Sequence, residues 1–355
     1  MIVWLQQFSV LGHPLTFWLG AVWTASSLLL AGWVVMQRRS PVSTLAWIMV
    51  LNLMPVLGLA VYAWFGPQRV KRQRLKRWRQ RAALLSQGDV ARLRQDRPDV
   101  PDWALQHARL IEAACGLPAA SAQCVQILPS GGATLEALLA EIASARHHVH
   151  LEYYIFEPDQ TGTRVLQALG ERARAGVQVR LLVDAIGSPK LLSRRHRALL
   201  KAFVDAGGQL AVFHPTRLDR LRPLVNLRTH RKIVVVDGRA GFLGGINVTD
   251  DENELLYPDR AYRDTHLLLR GSAVRWLQYV FLQDWYYASG RQPAHDGHML
   301  PTDEPPGQVP VQIVASGPDN DGEAIHRAMI DALNLAYERV WLSTPYFVPT
   351  EPAMT

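Results

Sequence analysis

Residues 230–237 read HRKIVVVD, and a little further on the chain carries Gly244, Gly245 and Asn247. The run IVVV at 233–236 is apolar and β-branched throughout, the pattern of a short strand buried on both faces. His230 and Lys232 are two apart, so an extended backbone turns both side chains to the same face. An imidazole and an ammonium on one face, with the Asn247 amide nearby, suit a phosphate. The imidazole can attack phosphorus while the ammonium and the amide neutralise and hold its oxygens, and no metal is required. Asp237 adds a carboxylate just past the strand.

Outward from this string, helical and strand patterns alternate. Residues 134–145 have helical periodicity, 147–156 read as a strand, 164–175 as an amphipathic helix and 177–187 as a strand ending in a turn. A helix at 196–206 and a strand at 209–213 precede the string, and a strand at 265–269 and a Trp-rich helix at 273–287 follow it. This order predicts an α/β fold, a mixed or largely parallel sheet flanked by helices, over 123–290. Residues 92–122 read as a charged helical connector and 291–308 as a linker. From Val311 the pattern that began at Val125 recurs: strand, Ser-Gly turn, helix, then a strand with an aromatic pair. The pairs are Tyr153 with Tyr154 and Tyr346 with Phe347. Residues 309–355 are therefore expected to open a second, similar lobe that is incomplete at Thr355.

The amino-terminal region is of another kind. Residues 15–36 and 45–65 contain no Asp, Glu, Lys or Arg and are long enough to cross a bilayer, joined by a short loop with two Arg. A transmembrane hairpin over 1–65 is expected. Residues 66–81 hold eight Lys or Arg and no acid, which by the positive-inside bias puts the remainder in the cytoplasm. That segment alone exceeds the chain's net charge of +7, so basicity is local. Lying directly after an apolar segment and containing Trp78, it suits anionic lipid headgroups, at about 1 kcal/mol per charge, better than nucleic acid. Cys115 and Cys124 form no CxxC, so neither a disulfide framework nor a zinc site is indicated.

The string HxKxxxxD followed by GGxN resembles the HKD signature of the phospholipase D superfamily. Two longer segments, SPVSTLAWIMVLNLMPVLGLAVYAWFG and NLRTHRKIVVVDGRAGFLGGIN, narrow the resemblance to the bacterial cardiolipin synthases. LEYYIF, GVQVRLLVDAIGS, YRDTHLLLRGSAV, FLQDW and STPYFVP are similar to segments of that family too, so the likeness covers essentially the whole chain. It implies an inner-membrane phosphatidyltransferase: one phosphatidylglycerol gives its phosphatidyl group to a second, making cardiolipin and releasing glycerol.

Residue by residue, the resemblance implies that His230 forms a phosphatidyl-histidine intermediate while Lys232 and Asn247 bind the nonbridging oxygens. Asp237 is carried with the catalytic set of the motif, although its place after the strand reads as a structural carboxylate that holds the loop. The family's pattern also has an acid from the next strand that fixes the nucleophile's tautomer. Asp264 is the candidate, with an ion pair to Arg263 or Arg228 as its other reading. Glu152, Tyr153 and Tyr154 are expected to pack or to shape the pocket, and His150 and His266 to be core or rim histidines. No metal or other cofactor is implied. The implied partners are phosphatidylglycerol and anionic membrane lipids, not nucleic acid, with self-association left open.

The sequence departs from the family in one large respect: members carry two HKD motifs, one from each lobe, and this chain has one. The second histidine of the family serves as general acid for the leaving glycerol and as base for the incoming hydroxyl, a contribution of roughly 100- to 10,000-fold. The 355-residue chain is therefore expected to be an incomplete copy of a longer enzyme and to make little cardiolipin alone. The competing readings are a hydrolase of the same chemistry and a non-catalytic membrane-bound fragment.

Overall fold

The computed structural model describes residues 9–10, 13–36, 41–54, 87–96, 98–214, 228–292, 298–303, 305–317, 323–346 and 349. They fall into two compact units, residues 1–70 and 71–355.

In the first unit, helix α1 (Leu15–Val35) and helix α2 (Pro41–Leu53) pack on each other. Val34 and Leu51 are buried between them, with Trp47 and Ile48 alongside. Most other apolar side chains of α1 face outward, as in Leu28 and Leu29, which are 69% and 76% exposed. Among the described helices Thr16–Val35 is the segment long and apolar enough to cross a membrane. The helix expected over 45–65 starts earlier, with Pro41 at its first position where the missing N–H costs nothing. Its continuation beyond Met54 and the basic run at 66–81 lie outside the described residues.

The second unit is built on a seven-stranded mixed sheet. After α3 (Gln87–Leu93) and α4 (Asp102–Cys115), the chain forms β1 (Ala120–Ala122), β2 (Cys124–Leu128), α5 (Gly131–Ser144) and β3 (His148–Tyr153). It continues with α6 (Gln160–Arg174), β4 (Gln178–Asp184), α7 (Arg197–Asp205) and β5 (Gln209–Phe213). Next come β6 (Ile233–Val236), β7 (Ala240–Gly244), β8 (His266–Arg270) and α8 (Ala273–Ser289), then β9 (Val309–Val311) and α9 (Ala324–Leu335). The sheet order is β2-β8-β7-β6-β3-β4-β5. β3, β4 and β5 run parallel, as helical crossovers require, and the pairs from β3 through β6, β7 and β8 to β2 are antiparallel.

The IVVV strand is apolar at every position because both of its faces are covered. Val234 and Val236 join a core with α5, α6 and α7, whereas Ile233 and Val235 join a second core under α8. The connector is not wholly helical as expected: Ala120–Ala122 is a strand, pairing antiparallel with Val309–Val311. The first strand and the helix of the expected second lobe form, but they meet the connector, with α9 packed on α4 and His107 Nδ1 2.7 Å from Asp331 Oδ2. The second strand of that pattern is not formed among the described residues, and Phe347 lies outside them.

Candidate active site

Antiparallel pairing of β6 with β3 and β7, and of β8 with β7, gathers several strand ends at one edge of the sheet. The start of β6, the ends of β3, β4 and β7 and the start of β8 all meet there. His230 and Lys232 enter β6 at this edge on a common side, with Lys232 Nζ 3.2 Å from His230 Nδ1 and donating to the His230 carbonyl at 3.0 Å. Arg231 between them turns the other way, toward α8, where it pairs with buried Asp284 at 2.6 Å and donates to the Ser316 carbonyl at 3.1 Å. Extended alternation thus continues upstream of the strand, and the Arg231 bonds fix its phase.

Tyr154, at the end of β3, packs its ring 4.5 Å from that of His230, and Lys232 Nζ lies 5.8 Å from the same ring. The expectation that the tyrosine pair packs and shapes the pocket divides by parity: Tyr153 points into the core and Tyr154 into the site. His230 keeps an exposed edge, yet burial, followed by the Lys232 charge, lowers its pKa from the ordinary histidine value. Asp184 at the end of β4 opposes that shift. The ring is therefore neutral at neutral pH, the form that can attack. Lys232 is only 5% exposed; burial lowers its pKa, while Glu252 and Asp264 favour the ammonium form.

Gly244 and Gly245 carry the chain from β7 across the start of β8. A Cβ on Gly245 would overlap the Asp264 carboxylate, and one on Gly244 would strike the His266 backbone. The close approach brings Asp264 beside Lys232, and Asn247 arrives at the same edge. The Asn247 amide is not open: Nδ2 donates to Glu252 Oε1 at 2.7 Å and the backbone N–H to Oε2 at 2.6 Å, while Oδ1 accepts from Ile155 N at 3.3 Å. Glu252 thus ties Asn247 to the neighbourhood of Lys232.

Two expectations are corrected. Asp237, counted with the catalytic set, lies at the opposite end of β6 from His230, because the strand itself separates them. Its oxygens accept the backbone N–H groups of Arg146, His147 and His148, each at 2.8 Å. Burial pushes its carboxyl up, but those three donors outweigh it and hold the pKa below the usual range. This is the loop-holding role. Asp264 makes no hydrogen bond to His230; its Oδ1 accepts from Thr265 N at 2.7 Å and its charge acts on Lys232. Arg228, offered as a partner of Asp264, lies instead 3.6 Å from Asp184.

Glu252 and Asp184 were not singled out from the sequence, nor was the contact of Thr229 with Glu152. Asp184 sits where an apolar strand runs into a turn, a signal that could have marked it, and Glu252 follows Asn247 within one turn of chain. Glu152 is fully buried and accepts the Thr229 hydroxyl, which fixes the residue before His230. His150 is a core histidine, bonded to Gln278 and stacked on Phe281 at 4.7 Å. His266 is buried beside Lys232, and burial and that charge lower its pKa to about 4.

A family profile described as "Cardiolipin synthase, PLD-like domain" matches residues 138–285, and one described as "Phospholipase_D-nuclease N-terminal" matches residues 21–67. Cardiolipin synthase of Geobacillus kaustophilus is 36% identical over 354 residues, covering 96% of this chain and 69% of that protein. Cardiolipin synthase 1 of Bacillus cereus is 35% identical over 346 residues, covering 95% of this chain and 67% of that protein. Among solved structures, Nuc of Salmonella typhimurium, a phospholipase D family member, aligns with a TM-score of 0.36 at 18% identity, over 46% of this chain and 95% of that one. Phosphatidylserine synthase of Haemophilus influenzae aligns with a TM-score of 0.37 at 14% identity, over 48% of this chain and 38% of that one. With both apolar anchor and α/β unit matched, and with identity above a third across nearly all its length, the chain belongs to the cardiolipin synthase family of the phospholipase D superfamily.

Proposed function

We propose that the reaction of this site is phosphatidyl transfer between two phosphatidylglycerol molecules, giving cardiolipin and glycerol, with His230 as nucleophile, at a rate held low in this sequence by its single HKD motif. The observation that carries the reading is the neutral His230 ring held 3.2 Å from Lys232 Nζ on one side of the chain. A ring nitrogen attacks phosphorus, a P–N bond forms, and the P–O bond to the headgroup glycerol breaks, the glycerol oxygen taking its proton from a water molecule and leaving hydroxide. The hydroxyl of a second phosphatidylglycerol then attacks phosphorus and gives its proton to that hydroxide, re-forming water. The P–N bond breaks and returns the electron pair to the imidazole.

Lys232 now donates to His230 Nδ1, an interaction for which a phosphate oxygen would compete. A charged oxygen is the stronger acceptor, so substrate entry draws the ammonium onto the phosphate and frees the ring nitrogen. Charge that grows on the nonbridging oxygens meets a preorganised cation. Asn247 joins the clamp when Nδ2 exchanges Glu252 for the phosphate. The relatives are named as cardiolipin synthases, which supports a lipid hydroxyl over water as the acceptor. The apolar anchor keeps the reaction at a membrane, where both substrates reside.

The test is to incubate the protein with phosphatidylglycerol labelled in its phosphate, quench in mild alkali and map the labelled peptide. Label on His230, and none after His230→Ala, is expected. Label on another residue of the 228–237 segment would overturn the assignment.

A further inference from the structure

We propose that the loop after β4 together with the first residue of α7, residues 186–197, is a rim that docks the catalytic end of the sheet onto an anionic bilayer surface. The proposal rests on the reading above that the site works on membrane lipids. β4 ends at Asp184 on the edge that holds His230, and the parallel pairing of β4 with β5 requires α7 to start at that edge and run back. The turn is tied to the site, since Ser188 Oγ donates to the Tyr154 carbonyl at 2.9 Å and accepts from Phe156 N at 3.0 Å. Tyr154 in turn packs on the His230 ring.

The segment IGSPKLLSRRHR contains four Lys or Arg and no acid. Lys190 pairs with Glu157 at 3.2 Å. Arg194, Arg195 and Arg197 are exposed, and among the described residues no hydrogen bond or ion pair joins them to an acid. They gather at the amino-terminal end of α7, whose first turn has no acidic residue. The helix dipole is positive there and disfavours cations, so three arginines at this place oppose the local electrostatics with no compensation from the described residues. A residue pattern that works against its own helix is the kind that a function retains. An anionic surface removes the penalty.

The shape favours a bilayer over a single anion. His196 Nδ1, 2.9 Å from the Lys190 carbonyl, ties the two ends of the basic stretch together, and Arg194, Arg195 and Arg197 around it are exposed. Ile186, 39% exposed, and Pro189 stand at the same rim. Apolar side chains beside basic ones match the boundary between acyl chains and anionic headgroups.

The experiment uses the full chain in nanodiscs of phosphatidylcholine alone or with phosphatidylserine, an anionic lipid without a glycerol headgroup, and reads backbone hydrogen exchange of 186–197. Exchange is expected to slow by roughly tenfold in the anionic discs, and the slowing to vanish at high salt, as surface electrostatics require. The triple variant Arg194→Glu, Arg195→Glu, Arg197→Glu is expected to lose the slowing while its thermal midpoint stays level or rises, because acids suit that helix end. If that variant does not fold, the triple Gln variant serves in its place. Equal exchange in both discs overturns the proposal, as does a fall in the midpoint of either variant by more than a few degrees. Equal or stronger protection by a single-stranded RNA oligonucleotide in phosphatidylcholine discs would assign the rim to nucleic acid instead. No turnover is needed, so failed labelling of His230 with protection intact would overturn the catalytic reading and leave the rim.

Discussion

In the proposed mechanism His230 attacks only while neutral, and its lowered pKa sets where that form is available. The ring gains a proton as pH falls through a value below that of an ordinary histidine, about 6.5. The rate of His230 phosphatidylation should therefore fall to half its plateau only below about pH 6.5. A stopped-flow or quench series across pH checks this, and an acid limb centred above 6.5 would contradict the burial argument. Lys232 is the second cause of the shift, so Lys232→Met should move the His230 pKa upward, read from the ring proton resonances by NMR. No movement would mean that the Lys232 charge does not reach the ring. His266 gives a separate, structural effect: it is buried neutral with its pKa lowered to about 4, whereas the unfolded chain titrates near 6.5. Between those values the unfolded state binds more protons, so stability rises with pH through that window and is lost as pH falls through it. From pH 7 to pH 5 this histidine should account for about 2 kcal/mol, and His266→Leu should flatten the dependence of the urea midpoint on pH by that amount.

At the scale of elements, the strand was legible because IVVV can be satisfied only by two covered faces, and two cores cover it. The hairpin after it was not. Asp237 and Gly238 both adopt positive φ, 52° and 66°, in the tight turn that joins β6 to β7, closed by Arg239 N donating to the Val236 carbonyl at 3.0 Å. The carboxylate then caps the chain entering β3, a partner about 90 residues away in sequence and invisible to local pattern. Asp237→Ala should cost about 2–3 kcal/mol, through three lost charge-assisted bonds and a left-handed residue without Asp or Gly character. Asp237→Asn should cost less, and at a temperature where it stays folded His230 should still be labelled. Loss of labelling in a folded Asp237→Asn protein would return Asp237 to the chemistry. The glycine pair is constrained more tightly: Gly245→Ala must displace Asp264, so labelling should drop at least tenfold with Lys232 losing a neighbouring charge. Labelling at the parent rate would show that the loop yields without consequence.

On the scale of the whole molecule, the membrane reading rests on α1, long and apolar enough to span, and on the family to which the chain belongs. The eight Lys or Arg at 66–81 against two in the preceding loop predict two spans with the catalytic unit in the cytoplasm. Reporter fusions after Arg81 should read cytoplasmic, and a periplasmic readout would reverse the orientation. The sequence by itself determined the α/β class, the apolar hairpin, the common side of His230 and Lys232 and the family, because these depend on periodicity and on residue types a few positions apart. Only the tertiary structure decided which acids meet which cations. Asp184 ends β4, Glu252 lies in the short helical turn Asp250–Glu252 after β7 and Asp264 precedes β8, and their roles follow from the strand pairings that bring these segments together. The same folding carried Asp237 to the far edge and paired the Val309–Val311 strand with the connector, since backbone groups and apolar faces take whichever partner the fold puts within reach.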